Sequence, residues 1–204
     1  KKKYQFNHEK FPKLHQVEKY VNFVNESLNA NFHAGNLVSY LAQTVNNKKA
    51  RLFGINPGAT YGSAKRWYPE KFSEIASALS NDFDIIIFGG ENELEFANKI
   101  ESHLANQNIH NVLNLAGKTS ISELTNYIAN LDIFLTGDSG PMHIAASLGI
   151  PTIALFGPTN PDITSQWKNQ HSLIVKKNLD CQPCMKRTCP LKHHNCMKLI
   201  ETRE

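Results

Sequence analysis

Five apolar runs alternate along the chain with stretches whose apolar residues recur every three or four positions, and a sixth run follows near the end. The runs are 51–56 (RLFGIN), 83–88 (FDIIIF), 112–115 (VLNL), 131–135 (LDIFL), 152–156 (TIALF) and 172–175 (SLIV). Run 83–88 is apolar almost without interruption, as a strand buried on both faces of a parallel sheet must be. Between the runs, Phe72, Ile75, Ala76 and Leu79 mark one amphipathic helix opened by Pro69, and Leu94, Phe96, Ala97, Ile100 and Leu104 mark a second over 91–105. Ser120 with Glu123 three residues on is a capping box for a third, through Ile121, Leu124 and Ile128. A fourth is short, running from Pro141 to Gly149. Strand and helix alternating at this spacing predict a doubly wound, mainly parallel α/β sheet of the Rossmann-like kind.

Ahead of the first run, Val17, Tyr20, Val21, Val24 and Leu28 predict an amphipathic helix. Leu37, Val38, Tyr40, Leu41 and Val45 hint at a second, peripheral one. The pattern divides the chain into peripheral helices over 1–48, a sheet domain over 49–178 and a cysteine-rich tail over 179–204 packed on that domain.

Ligands of such sheets bind beyond the carboxyl ends of the strands, where strand order reverses. Each glycine-containing loop here follows a strand, so the loops at 57–67, 89–93, 116–119, 137–143 and 157–160 are expected on one rim. The stretch 134–161, FLTGDSGPMHIAASLGIPTIALFGPTNP, reads as strand, tight turn, helix and strand. Gly137, Ser139 and Gly140 leave backbone N–H groups open at a helix start, a geometry that receives an anion. Met142 and His143 are positioned to surround a phosphate or sugar; His143 either donates to a phosphate oxygen or is a half-buried structural histidine. Asp138 would repel a diphosphate, so it either receives sugar hydroxyls or caps backbone N–H groups.

On the other loops, Lys65 and Arg66 are either diphosphate ligands or an exposed pair beside Trp67 and Tyr68. Thr60 and Ser63 either add hydroxyl donors or serve as ordinary loop formers. Glu91, with Glu93 as the alternative, either accepts hydrogen bonds from a ribose diol or favours the first turn of its helix through the dipole. The 134–161 stretch is neither a Walker motif, which would need a Gly-Lys-Ser/Thr end, nor the GxGxxG fingerprint, which argues against ATP hydrolysis and NAD binding.

The 22 Lys plus Arg against 18 Asp plus Glu leave a net charge of +4, too small an excess to argue nucleic acid. It suits a phosphorylated small ligand or an anionic lipid surface. No apolar run approaches the roughly 20 residues of a membrane span, and the basic start lacks the apolar centre of a signal peptide, so a cytoplasmic location is expected. Cys181, Cys184, Cys189 and Cys196 stand as C-x2-C-x4-C-x6-C, with His193 and His194 between. They are either a structural zinc or iron–sulfur staple for a tail with little core, or a buried thiol cluster.

NPGATYGSAKRWYPEKF, the Gly89-Gly90-Glu91 strand end, NLAGKTSISEL, the 134–161 stretch and the tail CQPCMKRTCPLKHHNC follow one another in the order found in the bacterial ADP-heptose:lipopolysaccharide heptosyltransferases. From about residue 50 onward the chain resembles their carboxyl-terminal half, in the heptosyltransferase II branch of glycosyltransferase family 9. The resemblance implies the donor-binding domain of a GT-B enzyme that inverts the anomeric centre while moving heptose from ADP-heptose to the lipopolysaccharide inner core. It also implies action at the cytoplasmic face of the inner membrane, with peripheral membrane contact and no catalytic cofactor. Lys65 then matches the lysine on the leaving diphosphate, Glu91 or Glu93 the ribose acid and Asp138 the sugar-positioning residue. Thr60, Thr119, Gly137, Ser139, Gly140, Met142 and His143 fall in the nucleotide-sugar loops. Residues 1–48 become an interdomain linker, and the acceptor domain with its catalytic base is expected before residue 1, outside these 204. Two other readings are a zinc-stapled or nucleotide-binding regulatory domain and a different nucleotide-sugar enzyme.

Overall fold

The computed structural model describes residues 4–7, 9–39 and 50–203. Six strands form one sheet: β1 (Leu52–Asn56), β2 (Asp84–Ile87), β3 (Val112–Asn114), β4 (Ile133–Gly137), β5 (Thr152–Phe156) and β6 (Ser172–Lys176). Their order is β3-β2-β1-β4-β5-β6, and every neighbouring pair is parallel. All six predicted runs are therefore strands of a doubly wound sheet.

The helices are α1 (Gln16–Leu28), α2 (Pro69–Leu79), α3 (Leu94–Ala105), α4 (Ile121–Ala129), α5 (Gly140–Ser147) and the short α6 (Pro161–Thr164) and α7 (Asn195–Lys198). Side-chain alternation along β2 divides the core between the two faces of the sheet. Ile85 and Ile87 point into a cluster with Phe72 and Ala76 of α2, Ala97, Ile100 and Leu104 of α3, and Cys196, Met197 and Ile200 of the tail. Ile86 and Phe88 point the other way, to Ile128 of α4 and Ala145 of α5. Gly54 keeps central β1 clear at its crossing with Leu131, whose Cδ1 would lie 2.4 Å from an added Cβ.

Three local features depart from the sequence pattern. The helix expected over 91–105 opens as a 3₁₀ turn at Glu91–Glu93, because the Glu93 carboxylate folds back to accept the Gly90 N–H at 2.7 Å. In the hinted peripheral helix, Leu37 and Val38 lie in non-helical chain, and the remaining positions, Tyr40, Leu41 and Val45, lie outside the described residues. The start of α1 is capped by His15, whose Nδ1 accepts the Val17 N–H at 3.2 Å while its Nε2 donates to the Ser165 carbonyl at 3.0 Å. Its ring packs on Trp167, which fastens this helix to the chain beyond β5. Among the described residues no helix is long and apolar enough to cross a membrane.

Candidate functional site

Strand order reverses between β1 and β4, and the register pairs Asn56 with Thr136, so both strands release their loops at the same edge. A cavity of about 550 Å³ opens there, lined from all five predicted loops. Thr60, Lys65, Glu93, Thr119, Asp138, Ser139, Gly140 and His143 line it. Gly137 ends β4 beneath the rim, and Glu91 and Met142 are not part of the lining.

Those two placements correct the sequence reading. Glu91 is exposed at the outer start of the 3₁₀ turn, whereas Glu93 is 5% exposed and reaches inward across Gly58. Glycine is required at 58 by that close approach, since an added Cβ would lie 2.3 Å from Glu93 Cγ. The Glu93 Oε1 atom is buried without a partner, an acceptor aimed at nothing in the protein. Met142 is fully buried against Ala154 and Phe156, because its place in the first turn of α5 faces the sheet and not the cavity.

Lys65 ends a 3₁₀ turn after β1, and Asp138 follows β4 across the switch point. Lys65 Nζ donates to Asp138 Oδ2 at 2.6 Å and to the Asp138 carbonyl at 3.1 Å, and sits 4.7 Å from the centroid of the Tyr61 ring. The two side chains are 11% and 5% exposed, so the pair is held in a low-dielectric wall of the cavity. Thr164 donates to the same carboxylate oxygen at 3.4 Å. Of the two roles open to Asp138 in the sequence, neither describes this state: it is the counter-ion of Lys65. His143 is pushed below its ordinary value by burial, an effect the Asp138 charge opposes. An uncharged imidazole is thus favoured beside the ion pair.

Several lining residues carried no sequence signal. Asn56, which read only as a strand stop, donates to Thr136 Oγ1 at 3.3 Å and Ser139 Oγ at 3.2 Å, tying the first turn of α5 to β1. Thr159 contributes a second buried oxygen without a partner. Tyr61 and Met185 close one side, and the Tyr61 hydroxyl donates to the Met185 carbonyl at 2.9 Å. Met185 belongs to the cysteine-rich tail, so that segment forms part of the cavity wall.

The tail is built against the loop that carries Lys65. Ala64 N–H donates to Arg187 O at 3.0 Å, and His194 Nε2 donates to Ala64 O at 2.9 Å while its Nδ1 accepts the Tyr68 hydroxyl at 3.1 Å. All four cysteines are free and line a small closed space of about 20 Å³ beneath Ala64 and Pro158. Burial, with the other three thiols adding to it, pushes Cys196 up to about 11, so it remains a thiol. Among the described residues no group of three or more His, Cys, Asp or Glu side chains is arranged to hold a metal ion. The described residues thus give the zinc or cluster staple no support. Met197 and Ile200, buried in the core, and the backbone ties to Ala64 anchor the tail instead.

The family description Glycosyltransferase family 9 (heptosyltransferase) matches residues 2–195. The chain belongs to glycosyltransferase family 9. Within that family it is heptosyltransferase II-like. Lipooligosaccharide heptosyltransferase 2 of Campylobacter jejuni (strain ATCC 700819) is 43% identical over 204 residues, covering 97% of this chain and 64% of that protein. This family 9 chain thus spans less than two thirds of the length of the Campylobacter jejuni relatives it matches. Among solved structures, Escherichia coli ADP-heptose lps heptosyltransferase II superposes with a TM-score of 0.66 at 28% identity, over 77% of this chain and 44% of that one. A family 9 glycosyltransferase from Veillonella parvula gives 0.73 at 20% identity over 98% of this chain and 59% of that one, a likeness of fold. The fold is accordingly a doubly wound, mainly parallel α/β sheet of the Rossmann-like kind, consistent with the carboxyl-terminal domain of a GT-B enzyme.

Proposed function

We propose that this family 9 chain is the donor-binding half of an inverting heptosyltransferase that takes ADP-heptose and passes heptose to a lipopolysaccharide inner-core sugar. The observation that carries the reading is the convergence, in one switch-point cavity, of a cation, the buried carboxylate paired with it and a second buried carboxylate with a free oxygen. The names of the relatives, lipooligosaccharide heptosyltransferase 2 and ADP-heptose lps heptosyltransferase II, support the donor and acceptor classes.

In this reading the adenosine ribose is held by Glu93, because the unpartnered Oε1 accepts from a diol and the cost of burying it is offset only when a donor arrives. The diphosphate lies between Lys65 and the N–H groups at the start of α5. As the bond from C1 of heptose to the diphosphate oxygen breaks, its electron pair goes to that oxygen, and Lys65 stabilises the charge that appears there. Asp138, relieved of part of its pairing with Lys65, accepts from heptose hydroxyls and fixes the sugar for attack from the opposite face. Lys65 and the α5 N–H groups supply this stabilisation from the protein itself, so in this reading no metal is assigned to the transfer step.

The acceptor hydroxyl needs a base on the far side of C1. We assign that base to the acceptor-binding part of family 9 enzymes, which fits a chain that covers 64% of its relative. The 204-residue chain alone then binds donor but transfers nothing, and the complete enzyme works at the cytoplasmic face of the inner membrane, where the lipid-linked acceptor lies. Calorimetry with ADP, UDP and GDP tests the binding half: ADP should bind selectively, and an equal response to all three, or none, would overturn the assignment. Heptose transfer by the isolated chain at the rate of a two-domain enzyme would overturn the division of labour.

A further inference from the structure

Resting on the donor reading above, one charge in that site is unaccounted for. Counted by formal charge, three charged residues line the cavity: Lys65, Glu93 and Asp138. Lys65 is already neutralised by Asp138, Glu93 adds a negative charge, and His143 is held toward its neutral form by burial. The lining is thus net negative before a dianionic diphosphate enters it. The start of α5 returns only about half a positive charge. A second cation is needed.

Arg187 is placed to be that cation. It lies on the tail segment that forms one wall, two residues beyond Met185, which itself lines the cavity. Its backbone is locked to the Lys65 loop: Arg187 O accepts the Ala64 N–H at 3.0 Å, and Gly62 lies so close that an added Cβ would be 2.3 Å from that oxygen. Its guanidinium carbon is 5.2 Å from the centroid of the Tyr61 ring, the ring against which Lys65 Nζ sits at 4.7 Å. The two cations therefore lie no more than about 10 Å apart around one cavity-lining ring, comparable with the screening length of water at physiological salt. Arg187 is exposed and has no carboxylate partner among the described residues, so moving it toward an anion breaks no ion pair.

We propose that Arg187 is a second phosphate-binding residue of the donor site, swinging off the Tyr61 ring to contact the diphosphate that Lys65, shared with Asp138, only partly neutralises. A guanidinium suits this task, since its planar fork donates two parallel hydrogen bonds to phosphate oxygens.

The test compares ADP with adenosine on the 204-residue chain, using Arg187→Ala, Arg187→Lys and Lys65→Ala, with affinities from calorimetry for ADP and ligand-observed NMR for adenosine. Arg187→Ala should weaken ADP about tenfold and leave adenosine within about twofold, and Arg187→Lys should recover part of the loss because it keeps the charge but not the fork. ADP affinity unchanged in Arg187→Ala, while Lys65→Ala lowers it, overturns the proposal and leaves the donor reading standing. Equal weakening of ADP and adenosine overturns it too, by showing that the residue holds the wall and not the phosphate. If the parent chain binds neither ligand, the donor reading falls and Arg187 falls with it.

Discussion

At the residue scale, the site is governed by two carboxylates in different situations. Asp138 is paired with Lys65 at 2.6 Å, while Glu93 is buried with one oxygen unused. Replacing Asp138 with Asn frees Lys65 and removes a negative charge facing the diphosphate. ADP should bind about five- to tenfold more tightly, roughly 1 kcal/mol, while the preference for ADP-heptose over ADP shrinks. Calorimetry with both ligands reads the two effects separately, and weaker ADP binding would contradict the assignment. Glu93→Gln should cost ADP about tenfold through loss of the charged acceptor, whereas Glu91→Gln should leave it unchanged. The sequence pointed to the glycine pair and the acidic cluster behind it, but not to which acid turns inward. That choice depends on the Gly90 N–H and on the space above Gly58, contacts between loops that no local pattern records.

Titration belongs to the same scale. His15 and His143 are both held below their ordinary value of 6.5, chiefly by burial. The unfolded chain therefore binds more protons than the folded one in the window below 6.5. Stability is fully present above that pH and is lost as pH falls toward the lowered folded values. Thermal melts between pH 7.5 and 5.5 should show a fall that His143→Asn and His15→Asn each reduce. A melting temperature independent of pH in this window would show that the two rings are not buried uncharged.

At the scale of elements, periodicity identified the strands, the capping box of α4 and the sheet class, because each is written in local spacing. The tail was harder. Its spacing of cysteines suggested metal ligands, while Met197 and Ile200, which reach the core, sit in a largely apolar run of only five residues, CMKLI, too short to mark an element by periodicity. Met197 packs over Gly157, where an added Cβ would lie 2.4 Å from its sulfur, so β5 and α7 are fitted to each other. Met197→Ala should destabilise the chain by about 2–5 kcal/mol, the range for truncating a buried methionine. Urea unfolding measures this directly. A loss under about 0.5 kcal/mol, the range of a surface change, would show that the tail is held from elsewhere.

For the whole molecule, the sheet brings residues far apart in sequence to one edge, because every neighbouring pair of strands is parallel and all of them end on the same side. This is why the shared rim was legible without coordinates: any doubly wound chain places its post-strand loops together. The participation of Met185 and Arg187 was not legible, since they follow no strand and reach the rim only by lying along the Tyr61–Ala64 loop.

The His194 clamp on the Ala64 carbonyl joins positions 130 apart in the chain. During synthesis the sheet's first five strands emerge well before the residues that brace the Lys65 loop, and contacts of such separation form late. A nascent chain halted before residue 185 would hold its sheet but lack both the Cys196, Met197 and Ile200 part of the core and the brace of the ligand site. Nucleotide affinity is consequently a readout of completed folding: in refolding experiments ADP capture should lag behind the recovery of secondary structure, and recovery of the two together would contradict this order.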